Sequence, residues 1–496
     1  MADASPSEAR KQVGLLAVMG VVARICAQLM MLGLLLLAGR FLTVELFGIF
    51  VLSSILMNFG VIQMYSGIYH FVLREPAFEK TKGTAFSLQL IYAFAFAALI
   101  LAAAAFSKLM GWGDLLALLM AATAGMPILA LVASWQEANL LRRGDVKFYY
   151  AALIFSEIAG FVAGVVMLLN GLGVWALIAN RYVASGIVAI AMTFKFGWLP
   201  KPTWSGKDAR EIIKFATPLY GNTALAYATT SCADVILGGF LSARAVGLFR
   251  MGSRTASAAF DMFAQTFRIL TWQAVGRMAR EKRLSADLWT SLMAINLSIM
   301  VFVLGSLSLL AEDLVAVMLG GEWMAMVPVL QVLCWVKVLT SADQIASAQL
   351  AAAGHTAFLF RTRIMEGIIL VAALLLTVQF GMMAVAFGLI PSALAYVLRT
   401  THKLTRLTDT TKRAVAAAVM PGIALAATGL VVVYAASTLL DAQGPIVTIA
   451  VTAAIGGSAY IVTAFLPMRS WTLKLLHTVS TAILPASDSD AVNGQA

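Results

Sequence analysis

Long apolar runs, separated by short clusters of charged and turn-forming residues, recur along almost the whole chain. A helix needs about 20 mostly apolar residues to cross a bilayer. Read against that length, the pattern predicts fourteen spans, at roughly 13–38, 47–70, 84–106, 115–136, 149–169, 173–194, 212–240, 245–270, 288–310, 326–350, 364–380, 382–398, 414–436 and 444–466. The stretch 311–326 is the least regular part of this layout. The first run follows Arg10 and Lys11 and extends past Leu37, which is too long for the core of a signal peptide and reads as a retained span. Beyond Pro467 the stretch from Trp471 to Leu484 is amphipathic and is expected to lie on the inner membrane face. The polar segment from Pro485 is expected to be disordered. The predicted fold class is therefore all-α, a polytopic membrane protein with about 14 transmembrane helices.

Composition sharpens this reading. Of 496 residues 61% are hydrophobic and 12% charged, with a mean hydropathy of +0.89. A soluble domain of that composition would present a largely apolar surface to water. Cys26, Cys232 and Cys334 each fall inside an apolar stretch, which argues for buried core thiols and against a disulfide framework. His70, His355, His402 and His477 show no metal-ligand spacing, and no G-x-x-x-x-G-K phosphate loop occurs. No metal, cofactor or direct use of ATP is expected. The loops assigned to the outside are short and rather acidic (Glu45, Asp114, Glu312, Asp313, Glu322, Asp441). None could hold a catalytic domain, so an enzyme is not expected.

The basic residues orient the spans. Arg40, Lys108 and Arg244 fall in outer loops, and Arg24, Arg181, Arg250, Arg254, Arg268 and Lys337 fall within spans. The other 26 of the 35 Lys and Arg lie on the side of the N-terminus. Such asymmetry predicts that both termini lie in the cytoplasm. The formal net charge of +11 is thus mostly topology and gives no reason to expect nucleic acid.

The chain also repeats. GRFLTVELFGIF at 39–50 matches GGFLSARAVGLF at 238–249 without a gap, pairing Gly39, Phe41, Leu42, Gly48 and Phe50 with Gly238, Phe240, Leu241, Gly247 and Phe249. ANLLRRGDVKF at 138–148 resembles AQLAAAGHTAF at 348–358 more loosely. Both offsets correspond to six spans, an even number, so the halves share one orientation. That predicts a parallel repeat about an axis along the membrane normal, with a central site between the halves. Convergence on a common glycine-rich turn is the alternative origin of the match.

These segments resemble the polysaccharide flippases, the O-antigen and exopolysaccharide exporters of the multidrug/oligosaccharidyl-lipid/polysaccharide superfamily. The likeness rests on Arg40, Leu42, Glu45, Phe47 and Gly48; on Asp234, Gly238, Gly247 and Leu248, with Phe249 where the family has Tyr; and on GEWMAMVPVLQVL at 321–333. It extends over about residues 10–400. The resemblance implies two pseudo-symmetric six-helix lobes around a central cavity, at 1–200 and 201–400. Two extra helices over 401–466 and a cytoplasmic tail over 467–496 would follow. It also implies alternating access and a lipid-linked oligosaccharide on polyprenyl pyrophosphate, carried from the cytoplasmic to the periplasmic leaflet. The implied partners include the polysaccharide polymerase and chain-length machinery. Two other readings stay open at this point: a lipid-linked peptidoglycan precursor flippase, and a cation or drug antiporter of the same superfamily, which would be expected to favour acidic cavity residues.

Intramembrane charge supplies the candidate site. A charge at mid-bilayer costs about 2.5–3.5 kcal/mol, so Arg24, Arg181, Arg250, Arg254 and Lys337 facing lipid would cost roughly 12–18 kcal/mol together. They are expected to face a polar lumen. Span 8 carries Arg250, Arg254, Ser257, Asp261, Gln265 and Arg268 at intervals of three or four, and span 7 carries Thr223, Tyr227, Thr230 and Asp234. Span 1 adds Arg24 and Gln28; span 10 adds Lys337, Ser341 and Gln344. Given the resemblance, Arg24, Arg250 and Arg254, helped by Arg181 and Lys337, would bind the pyrophosphate, since a guanidinium matches phosphate oxygens. Gln28, Tyr227, Asp234 and Gln265 would line the cavity. Alternatively, Asp234 and Arg250 pair across their hairpin, and Arg268 reaches for the inner surface. Asp261, Glu157 and Asp343 are candidates for ion coupling, with internal salt bridges as the alternative and preferred reading. Among Tyr65, Tyr69, Tyr220, Tyr227 and Trp335, Tyr227 is the one expected to stack on a sugar. Pro218 and Pro391 interrupt spans 7 and 12, where a missing N–H kinks a helix.

Overall fold

A computed structural model describes residues 6–76, 78–143, 146–280, 286–440 and 444–483; the side chains of 6–18, 21, 24–25, 146, 265–270, 272–280 and 480–483 lie outside that description. The described chain is helical throughout, without strands. Its contacts divide into two compact units, Met1–Gly247 (unit 1) and Leu248–Ala496 (unit 2).

Unit 1 contains α1 (Pro6–Phe41), α2 (Val44–Met64), α3 (Ile68–Arg74), α4 (Phe78–Leu109), α5 (Asp114–Thr123), α6 (Met126–Arg143), α7 (Val146–Leu169), α8 (Trp175–Phe196) and α9 (Gly206–Phe240). The first turn of α10 (Ala243–Arg280) also belongs to it. Two expected spans are broken. The second divides into α2 and α3 at Gly67, whose φ of +43° suits glycine and against which the Tyr220 ring packs. The fourth divides into α5 and α6, where the Tyr182 hydroxyl donates to the Ala122 carbonyl at 2.7 Å and lies where a Cβ on Gly125 would go. An unbroken apolar run conceals both breaks.

The core of unit 1 gathers Met64, Ile68, Phe71, Phe86, Trp135 and Ile212 from α2, α3, α4, α6 and α9. One close approach fixes the first turns of α2 and α10. A Cβ on Gly48 would stand 2.6 Å from the Ala243 carbonyl carbon and nearer still to its oxygen. A Cβ on Gly247 would collide with the Val44 carbonyl oxygen. These glycines are the matching positions of the sequence repeat, so each excludes a side chain for the other's backbone.

Unit 2 comprises the rest of α10, then α11 (Ala286–Leu309), α12 (Ala311–Met318), a 3₁₀ turn at Gly321–Met326, α13 (Val327–Ala352), α14 (Thr356–Thr377), α15 (Met382–Leu407), α16 (Lys412–Leu440), α17 (Pro445–Phe465) and α18 (Arg469–Ile483). The irregular stretch 311–326 resolves into α12 and the 3₁₀ turn. Trp289, Leu292, Ile345, Leu404, Val419 and Leu475 form the core. The two C-terminal spans, α16 and α17, pack on each other, and α17 also reaches α11, where the Tyr460 ring stacks on Phe302 at 4.6 Å and its hydroxyl lies 2.8 Å from Ser298 Oγ. The amphipathic stretch after them docks on α11 and α17, burying Leu475 and leaving Leu473, Lys474 and Leu476 exposed.

Eleven helical stretches among the described residues are long and apolar enough to cross a membrane. The expected spans missing from these eleven are those of α1, α9 and α10. For α1 only Cys26–Phe41 registers as an apolar stretch. Helices α9 and α10 have 35 and 38 residues, about 50 Å or more at 1.5 Å per residue, and fall short only in apolarity. They are the helices whose polar stripes the sequence marks.

The repeat extends to side-chain contacts. In unit 1 the Lys195 ammonium of α8 lies 5.1 Å from the Phe148 ring centroid of α7. In unit 2 Lys403 of α15 lies 6.0 Å from Phe358 of α14. Phe148 and Phe358 are aligned by the looser sequence match. Lys195 and Lys403 are 208 positions apart, as are Gly173 and Gly381, the positive-φ glycines just ahead of α8 and α15.

Candidate functional site

The polar stripe of α10 meets α13 inside unit 2. Gly252 packs against Leu330 at ordinary van der Waals distance, and two turns further along both helices the Lys337 ammonium lies 5.6 Å from the Phe260 ring centroid. Because the contacts advance together, the helices run in the same direction. Lys337 there interacts electrostatically with Asp261, Arg254 and Arg250. All four side chains are half-buried, and Arg250, Arg254 and Asp261 are each engaged with neighbours. Arg250, Arg254, Lys337 and Asp261 thus share one place on α10 and α13. Guanidinium and ammonium groups are the side chains that stabilise a phosphate-bearing anion.

The remaining expected residues are distributed differently. Arg181 on α8 interacts with Glu157 on α7, and its Nη2 lies 3.6 Å from Met31 Sδ on α1. Helix α1 packs along α7 and carries an exposed Gln28, while the side chains of Arg24, Gln265 and Arg268 lie outside the described residues. Asp234 is buried in α9 and engaged with neighbours. The Tyr227 hydroxyl donates to the Ile55 carbonyl at 2.7 Å and its ring stacks on Phe59 with centroids 5.5 Å apart, so Tyr227 fastens α9 to α2. Pro218 sits in α9 immediately before further fastenings: Ser66 Oγ approaches the Leu219 carbonyl at 3.3 Å and Thr223 Oγ1 at 2.8 Å, and Gln63 Nε2 donates to the Tyr220 carbonyl at 3.4 Å.

Asp343 belongs to a network that the sequence did not reveal. Its Oδ1 accepts from Ser347 Oγ at 2.6 Å, and its Oδ2 lies 3.7 Å from Arg363 Nη2. Arg363 Nη1 donates to Glu366 Oε2 at 2.7 Å, and its guanidinium lies 4.2 Å over the Tyr396 ring. The Tyr396 hydroxyl closes the circuit to Ser347 Oγ at 3.3 Å. Arg363 and Glu366, three apart on α14, carry a sequence signal for pairing with each other but none for the contact to α13.

A second buried carboxylate also went unmarked. Glu137 stands one residue past the expected end of span 4, yet α6 continues to Arg143 and buries it. Tyr69 of α3 donates its hydroxyl to Glu137 Oε1 at 2.8 Å, and Tyr149 of α7 bonds to the same carboxylate. Tyr65 and His70 pack on the Tyr69 ring, with centroids at 5.8 and 5.4 Å. Arg142, one turn on, is committed elsewhere: its Nη1 donates to the carbonyls of Val72 and Glu75, and its guanidinium lies over Phe78.

With this geometry established, comparison with known proteins becomes informative. A family model described as "Polysaccharide biosynthesis protein" matches residues 36–328, more than half of the chain. The chain belongs to that family. It is 25% identical over 229 residues to the succinoglycan biosynthesis transport protein ExoT of Rhizobium meliloti (strain 1021), a match spanning 45% of each protein. Its fold is that of the lipid II flippase MurJ in an inward closed conformation, with a TM-score of 0.71 at 11% identity over 92% of this chain and 99% of that one. A multidrug resistance MATE family transporter of the MOP superfamily, inward-facing, gives a TM-score of 0.58 at 15% identity over 78% of this chain and 96% of that one. The all-α, many-span architecture read from the sequence is thus a known fold, and the resemblance to the polysaccharide family holds.

Proposed function

We propose that this protein is a flippase that carries an oligosaccharide linked to polyprenyl pyrophosphate from the cytoplasmic to the periplasmic leaflet of a bacterial inner membrane, by alternating access. The single observation that supports it most is the convergence of Arg250, Arg254 and Lys337, with Asp261, on α10 and α13 in a chain of the polysaccharide biosynthesis family. A pyrophosphate enters a low-dielectric interior only if cations replace its hydration. Arg250, Arg254 and Lys337 are the side chains that would supply those cations. Arg24 and Arg181 would complete the binding set from residues 1–200, the first of two six-helix lobes. Both termini would face the cytoplasm, as the basic loops require. Delivery to a polymerase would follow on the far side.

The test is export of surface or secreted polysaccharide by cells that carry single variants at equal membrane abundance. Arg254→Ala and Lys337→Ala should each reduce export at least tenfold, and Arg254→Lys should restore part of it. Normal export by the Arg254→Ala/Lys337→Ala double variant would overturn the proposal. Export that falls while fluorescent cationic dye efflux appears in proteoliposomes would favour an antiporter instead.

A further inference from the structure

The looser sequence match aligns Glu137 of α6 with Ser347 of α13, 210 positions later. Each of these helices holds a carboxylate near its C-terminal end, and each carboxylate is bound by hydroxyl groups. In unit 2 it is Asp343, one turn before Ser347, and Arg363 supplies a fixed positive charge. In unit 1 it is Glu137, and no such charge is present among the described residues: the side chains that act on it are the phenols of Tyr69 and Tyr149.

The elements packed against α6 supply no base to Glu137. From α2 come Tyr65, at its C-terminal cap, and Gln63; from α3, Tyr69 and His70; from α7, Tyr149. Helix α4 offers Gln89, bonded to Ser134 and to the Met64 carbonyl. Helix α8 turns Lys195 onto Phe148 and bonds Tyr182 to the Ala122 carbonyl. Arg142 and Arg143 lie over Phe78 and Phe196. Glu137 itself retains 9% of its surface.

We propose that Glu137 is a proton-binding site, and that its occupancy sets how tightly α3 and α7 are held to α6. As a carboxylate it accepts both phenol O–H groups, and such charge-assisted bonds are short and strong. On protonation a hydronium ion gives up one proton to a carboxylate oxygen and leaves as water. That oxygen then carries a donor of its own. It is a poorer acceptor, and one tyrosine hydroxyl must turn to accept from it or find another partner. The change needs no cation to move, because none acts on Glu137 among the described residues. Asp343 differs in having Arg363 beside it, so that neutralising it would leave that guanidinium with Glu366 alone. His70, exposed and edge-on to Tyr69, lies one turn before Arg74, the last residue of α3.

The test uses the purified full chain in lipid nanodiscs with no cargo, so it is independent of the transport proposal. Infrared difference spectra between mildly acidic and mildly alkaline buffer should show a carboxyl C=O band that shifts in D2O. That band should vanish in Glu137→Gln and persist in Asp343→Asn. Tyr69→Phe and Tyr149→Phe should each keep the band and move its midpoint, and hydrogen exchange in α3 should speed up at acidic pH in the wild type alone. A band unchanged in Glu137→Gln overturns the proposal. Should Glu137→Gln fail to fold, the phenylalanine variants decide: a moved midpoint supports the site, and an unmoved one overturns it. Loss of export in the arginine variants with no band at Glu137 would separate the two proposals.

Discussion

The crossing of α2 and α10 permits a graded test of how the close approach holds these first turns. A Cβ at position 48 would sit 2.6 Å from the Ala243 carbonyl carbon and closer to its oxygen, where real Cβ contacts essentially never fall below 3.0 Å. The obstacle is backbone, so relief requires the two turns to separate by roughly an ångström. Overpacking of this kind costs about 1–3 kcal/mol, and a backbone obstacle belongs at the upper end. Alanine recovers about 0.5–1 kcal/mol of helix propensity, which leaves Gly48→Ala destabilised by about 2 kcal/mol. Gly247→Ala meets the Val44 oxygen and should behave similarly. Gly238→Ala meets Leu52 Cδ2 at 2.5 Å, the end of a flexible side chain, and should cost less. Gly239→Ala meets nothing within 4 Å and should be neutral or stabilised. Thermal unfolding in one detergent, followed by size-exclusion of the heated samples, should rank the melting temperatures in that order, lowest first. Gly48→Ala melting at or above Gly239→Ala would refute the reasoning.

Further outcomes follow from the contacts described. Arg363→Ala leaves Asp343 and Glu366 without their cation; the Arg363 side chain is 41% exposed, so the loss falls below that of a fully buried pair, at about 1–3 kcal/mol, and should lower the melting temperature, which the Arg363→Ala/Asp343→Asn/Glu366→Gln triple variant should recover. Tyr227→Phe gives up one hydroxyl bond, about 1 kcal/mol, and keeps the stacking on Phe59, so export should persist with a small fall in melting temperature. Tyr227→Ala loses both and should fall clearly further. Ser298→Ala removes the partner of the Tyr460 hydroxyl at the seam of α11 and α17, and a loss of about 1 kcal/mol should appear in the same melt.

Much of the architecture was legible because a membrane imposes a single strong rule on sequence: apolar length. The rule located eleven of the expected spans among the described residues, and the basic loops carry the expectation of their direction. It said nothing about breaks within an apolar run, so the turns at Gly67 and at Ala124–Gly125 were invisible. It also misplaced Glu137, because a charge near a span end looks like a loop until the helix is seen to continue. The stripe on α10 and the lysine on α13 come together in unit 2, where helical spacing and a common need for counter-charge point the same way. The partnership of Asp343 with Arg363 was hidden for the opposite reason: it joins two helices through positions that no periodicity relates. Tyr227 was assigned to a lumen on its polarity, whereas its hydroxyl is satisfied by a carbonyl of the neighbouring helix.

The paired ring-and-ammonium contacts, Phe148 with Lys195 and Phe358 with Lys403, carry a historical consequence. A gene that doubles in tandem begins with two identical copies of every interaction, and mutation then erodes whichever copies selection ignores. Here the ring-and-ammonium contact between neighbouring helices occurs in both units, while the position of Glu137 in one is matched by Ser347 in the other. Ancestral reconstruction of a single half should therefore restore the ring and the lysine first, and the identity of the ancestral acid will tell which descendant took on a new duty.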